Sequence, residues 1–227
     1  RLLAVDHPDD ITLVPNEWMS IGGPLPEFEV HRIEKSRPPL TAVLGDGTDV
    51  TQLLTHRDRQ YLDPPPLLPF VGFSQTQVLT LDLGDIDADK PLSLLWYGWT
   101  RFWSSMSLSV AGGQGVATIP PRLEIPDGAG GWKTLIESIG VPAGTPKTMI
   151  TDLSGLLPEG INKVRMVTNM LVYIDQLLII EGSTGKAPFE IARLPIRSAE
   201  LRWSGYPANV SPDGRAPFLW DYQQRSA

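Results

Sequence analysis

Hydrophobic and polar positions alternate in short runs along most of this chain, and Pro, Gly, Asn or Asp closes almost every run. Period-two alternation marks a strand with one buried face, because successive side chains point to opposite sides. EFEVHRI sets Phe28, Val30 and Ile33 against Glu29, His31 and Arg32, which predicts a half-buried strand over residues 27–33. QVLTLDLGD, from Gln77, alternates in the same way, and GDIDADKP after it reads as a turn. PLSLLWYGW is too apolar to have a wet face. It reads as a central strand with Leu94 and Trp96 on one side, ended by Gly98. RLEIPDGAGGWKTL predicts a hairpin in which Gly128, Gly130 and Gly131 supply the positive φ of the turn. KTMITDLSGLLPEG reads as strand then turn. NKVRMVTNMLVYIDQLLII is a long β run, apolar on both faces from Met170 to Ile180 apart from Asp175 and Gln176. One helical turn is predicted in DGTDVTQLL, with Asp49 or Thr51 as N-cap and Val50, Leu53 and Leu54 as its apolar face. LDPPPLLPF forms a stiff extended crossing, and the tail offers one more strand over residues 200–203 before a proline-broken stretch.

Composition narrows the class. The 22 Pro and 21 Gly exceed what a helical protein tolerates and suit a loop-rich, mainly β chain, and the strand spacing fits a sandwich or jelly roll. A formal charge of −7 disfavours nucleic acid and anionic membranes as partners, since phosphates are repelled. No apolar run approaches the roughly 20 residues needed to span a bilayer. With no Cys, disulfides, thiolate metals and cysteine catalysis are all excluded. The opening RLLAVDHPDD carries no initiator Met, so any signal peptide is expected upstream of Arg1.

Candidate chemistry is sparse. Asp85, Asp87 and Asp89 imitate the first acids of a calcium loop, but Lys90 stands where the loop needs Gly and Trp96 where it needs a bidentate Glu. His7, His31 and His56 are scattered, without a second ligand at helical spacing. No nucleophile elbow is present, Ser104 and Ser105 have no nearby base, and GGQGVA lacks the Lys of a phosphate loop. Paired carboxylates carry no information in a chain with 26 acids. The chain is therefore read as a non-enzyme with no metal and no cofactor. Asp175, alone in the most apolar run, has two readings. It is a buried carboxylate satisfied by backbone donors or an Arg, or it is a ligand or ion contact at the end of a strand.

A resemblance covers nearly the whole chain. AVDHP, DVTQLL with RDRQYL, LTLDLGD, the Gly98-Trp99 pair, IGVPAGTPKTM, DLSG, VRMVTNM, DQLLI, SAELRW and PDGR occur here in order. In this they resemble the C-terminal region of large secreted bacterial proteins with FG-GAP (integrin-type propeller) repeats and an ASPIC/UnbV segment, often with TPR repeats. The resemblance implies a non-catalytic module of the periplasm, cell surface or exterior, attached to a propeller, in a chain that continues past Ala227. This sequence departs from the pattern where Arg101, Phe102 and Trp103 replace an acidic, small-residue loop, and where Ile174 stands for a Trp. The aromatic loop is thus particular to this protein.

The full expectation is a mainly β protein. Residues 67–182 form a two-sheet jelly roll resembling galactose-binding-like modules, residues 1–66 and 183–227 are irregular flanks, and the second flank begins a further unit. Trp99, Arg101, Phe102 and Trp103 are expected in the loop leaving the central strand, as a lid over the core, a protein-docking surface or a sugar-stacking platform. The function expected is binding and scaffolding by contact with other protein chains of an envelope or extracellular assembly. The alternative is a carbohydrate-binding module using the aromatic loop.

Overall fold

Strand pairing in the computed structural model, which describes residues 2–17, 19, 29–87, 89–182, 191–211 and 214–226, joins distant segments into two large sheets. The protein is mainly β, with 45% strand and 6% helix. One sheet contains, in spatial order, β5 (Thr41–Leu44), β6 (Phe73–Asp82), β11 (Lys163–Met170), β8 (Arg122–Pro126) and β9 (Trp132–Ile136). The other contains β10 (Lys147–Asp152), β7 (Leu92–Thr100), β12 (Val172–Glu181) and β4 (Ser36–Arg37). All these pairings are antiparallel. Three two-stranded ribbons complete the β structure: β1 (Leu2–Val5) with β13 (Ile191–Leu194), β2 (Thr12–Asn16) with β3 (Glu29–Ile33), and β14 (Tyr206–Val210) with β15 (Leu219–Ser226). The residues 67–182 hold β6 to β12, and the preceding segment adds β4 and β5 as edge strands of the two large sheets.

The alternation read from the sequence explains the packing. Leu79 and Leu81 of β6 face Leu94 and Trp96 of β7 in one cluster drawn from both sheets, so the sheets pack face to face like a sandwich. β8 and β9 form the expected hairpin. The helical turn appears as a 3-10 turn over Gln52–Leu54, with Val50 and Leu54 buried. Of the strand expected over residues 27–33, residues 29–33 form β3, and 27 and 28 lie outside the described residues.

The long β run proves to be two strands in different sheets. β11 ends at Met170, Leu171 crosses, and β12 begins at Val172. The corner is fixed by Leu171, whose N–H donates to the Gly72 carbonyl at 2.9 Å and whose carbonyl accepts from Arg101 N–H at 3.1 Å. Both strands are buried on both faces, so no change of parity betrays the corner in the sequence.

Two expectations are corrected. Gly98 does not end the central strand, since β7 continues to Thr100 and Gly98 pairs with both Lys147 and Ile174. A Cβ at Gly98 would run into the Tyr173 carbonyl oxygen. The glycine therefore permits close approach of two backbones within a sheet rather than a turn. Residues 200–203 form no strand and are exposed, because their local alternation finds no partner strand.

The ribbon of β2 and β3 lies on the outer face of the four-stranded sheet. Val14 and Ile33 pack there on Leu95, Ile150 and Ile180. Asn16 fixes its position, with Nδ2 donating to the Ile150 carbonyl and Oδ1 accepting from the Ile150 N–H, each at 3.1 Å.

Candidate functional site

Trp99 belongs to β7, and period two places it on the outer face of the sheet, away from Trp96. Its ring lies 5.4 Å from that of Tyr173, and its indole N–H donates to the Gly144 carbonyl at 2.6 Å. Trp103 is half-buried and packs against the core between the sheets. Phe102 stacks on Trp103 with centroids 4.7 Å apart and an interplanar angle of 11°, and it remains 41% exposed. Arg101 is exposed, and its charge opposes the burial that pushes the Tyr173 phenol above its ordinary value of 10.0. The four expected site residues thus divide. Arg101, Phe102 and Trp103 lie together in the loop after β7, while Trp99 sits on the sheet face with Tyr173.

The loop leads into an element that alternation does not predict, the helix α1 (Ser105–Gly113). Ser104 caps it: the Ser107 N–H donates to Ser104 Oγ at 3.0 Å, and the Ser104 N–H donates to Ser107 Oγ at 2.9 Å. The helix sequence, SMSLSVAGG, contains no charged residue. Met106 is 73% exposed and Val110 is also exposed. Against this loop stands the turn carrying Leu67 and Val71, both exposed. Gly72, at φ +86°, fixes the contact, because a Cβ there would lie 2.8 Å from Trp103 N and 2.9 Å from the Arg101 carbonyl oxygen. Exposed Val71 thus belongs to a turn that meets, at Gly72, the loop carrying Arg101 and exposed Phe102, and that loop runs into the helix bearing exposed Met106 and Val110.

A second constellation, of which the sequence pointed to Asp175 but not to Arg57, adjoins Tyr97, which lies on the same face of β7 as Trp99. Asp175 is the extra residue of a β-bulge between Ile174 and Gln176, and it is 1% exposed. Its Oδ1 accepts from the N–H groups of Asp58 (3.3 Å) and Arg59 (3.1 Å), holding a turn in which Arg59 has φ +68°. Its Oδ2 has no hydrogen-bond partner among the described residues. Burial raises the carboxyl above its ordinary 3.8, against the backbone donors that pull it down. The reading of a carboxylate satisfied by backbone donors holds for one oxygen of the two. The turn delivers Arg57, whose Nε donates to Gln176 Oε1 at 3.0 Å and whose Nη2 donates to Thr148 Oγ1 at 3.1 Å. The guanidinium carbon sits 4.4 Å from the Tyr97 ring centroid. These partners lie 119 and 91 residues away, so no local signal could assemble them.

Asp87 pairs with Lys90 at 2.8 Å rather than with Asp85 or Asp89, and among the described residues no group of three or more His, Asp or Glu could hold a metal ion. Among those residues no helix is long and apolar enough to cross a membrane. Comparison of the chain with family profiles, with curated proteins and with solved structures returns no match.

Proposed function

We propose that this protein is a non-catalytic, extracytoplasmic binding and scaffolding module that works by contact with another protein chain, and that its sandwich is a jelly roll. The strand orders support the second point. β4-β12-β7-β10 and β6-β11-β8-β9 are two four-stranded layers between which the chain passes repeatedly, as two Greek keys require, with β5 added at an edge.

The observation that carries the functional reading is the set of exposed apolar side chains, Val71, Phe102, Met106 and Val110, on the turn, loop and uncharged helix that meet at Gly72. Contiguous exposed apolar area is costly in water and marks interaction sites. Arg101 at its margin supplies charged donors of the kind that anchor interfaces. An acidic chain disfavours polyanions as the occupant. Sugar stacking receives less support, because Phe102 and Trp103 each cover one ring face of the other and the Trp99 N–H is committed to Gly144.

The test is capture of partners from an envelope fraction by the wild type and by a Phe102→Asp, Met106→Asp variant. Loss of a specific partner with an unchanged circular dichroism spectrum supports the reading. Equal capture by both, or saturable glycan binding that the two substitutions abolish, overturns it. Trp103→Ala is unsuitable, since Trp103 also packs on the core.

A further inference from the structure

Between the ribbon of β2 and β3 and the outer face of the four-stranded sheet lies a cleft of about 330 Å³, near the lower end of the size range of small-molecule sites. Its lining is mixed: Val14, Ile33, Leu95 and Leu178 are its apolar part, and Thr12, Ser36, Arg57, Thr148 and Gln176 its polar part. An apolar slot with a few fixed polar groups is the usual form of a ligand pocket.

Arg57 is the unusual member. A guanidinium is always charged and carries five N–H donors. Two of these bond neutral partners, Gln176 and Thr148, and the other three have no partner among the described residues. Among the described residues Arg57 forms no ion pair. The buried acid Asp175, whose charged form the Arg57 charge favours, turns its bonded oxygen to the backbone of Asp58 and Arg59 instead. The two hydrogen bonds and the Tyr97 ring fix the guanidinium plane, so little side-chain entropy is lost when an anion docks. The free Nη1 and the second hydrogen of Nη2 form a fork that matches the two oxygens of a carboxylate. A single cation in the lining of this cleft, on a chain of formal charge −7, suits a monoanion rather than a polyanion.

We propose that this cleft binds an apolar group bearing a carboxylate, with the carboxylate on Arg57 and the apolar part between Leu95, Leu178 and the ribbon. A free short-chain acid and the C-terminus of a peptide ending in an apolar residue both present this chemistry.

The experiment is a calorimetric titration of the whole chain with octanoate, with octanol and acetate as controls for tail and head alone. Octanoate should bind saturably with one site per chain, and both controls at least tenfold more weakly. Arg57→Gln should weaken octanoate at least tenfold and leave octanol unchanged. Leu178→Trp, which fills the slot and keeps Arg57, should also abolish octanoate binding and guards against an unfolded Arg57 variant. A peptide ending in free Leu, compared with its C-terminal amide, separates the two sources: tighter binding of the free-acid peptide than of octanoate names the peptide terminus, and the reverse names the small acid. Absence of octanoate binding, equal affinity for octanoate and octanol, or an Arg57→Gln or folded Leu178→Trp variant that binds octanoate like wild type overturns the proposal.

Discussion

Two ribbons of this molecule have the same build and opposite fates. β2 with β3 and β14 with β15 are both two-stranded and antiparallel, and such ribbons are marginal alone in water. The first sends Val14 and Ile33 into a buried cluster with Leu95, Ile150 and Ile180. The second carries the larger aromatic load, yet Trp220 is 54% and Tyr222 62% exposed. Its flank adds an edge-on contact of Trp203 with Tyr206 at 5.0 Å and one exposed ion pair, Arg215 with Asp63 at 2.9 Å. Surface pairs of that kind contribute about 0–1 kcal/mol. Burial is therefore decided by a complementary face, which the outer side of the four-stranded sheet offers to the first ribbon, and not by how apolar a ribbon is.

The comparison breaks most sharply at Ile33. Ile33→Ala should cost about 2–5 kcal/mol in chemical denaturation, as for other buried Ile truncations, and should expose β2 and β3 to limited proteolysis. A loss below about 0.5 kcal/mol would mean that the first ribbon is as independent of the sheet as the second. Asn16→Ala should cost about 1–3 kcal/mol, the penalty for leaving the Ile150 N–H and carbonyl without partners. If it proves neutral, apolar contact alone seats the ribbon.

Asp175 tests the part of the sheet that the ribbon leaves uncovered. A carboxyl whose folded value is raised above 3.8 favours the fold below that pH and loses this contribution as pH rises through the folded value. The melting temperature of Asp175→Asn relative to wild type should thus climb between pH 3.8 and neutrality. A constant difference would place the carboxyl in a solvated, unperturbed setting. The smallest effect is expected in the second ribbon. Trp220→Ser with Tyr222→Ser should change stability by no more than about 0.5 kcal/mol, because both side chains are more than half exposed. A larger loss would show that this ribbon is docked in solution.

Legibility in the sequence followed the same division. Period two in LTLDL was enough to place Leu79 and Leu81 inward, because one face of β6 meets the core and the other does not. The corner at Leu171 was invisible, since strands buried on both faces carry no alternation. Gly98 misled because a glycine required by a neighbouring carbonyl looks the same as one required by a turn. The helix after Ser104 offered only its capping pair of serines as a signal, its face being neither amphipathic nor charged. The aromatic loop was visible as composition, but its division between the core, the sheet face and the surface depends on Gly72 and Tyr173, which lie far off in the chain. Arg57 was one arginine among many until Asp175 turned the backbone that carries it.

The side-chain amide of Asn16 spans the N–H and the carbonyl of one residue of β10, the outermost strand of its sheet. An incoming strand from another molecule would need those same two groups to begin a ladder. Asn16, with the Glu17 N–H that donates to the Thr148 carbonyl at 3.1 Å, thus occupies edge groups of β10 that a strand from another molecule would otherwise take.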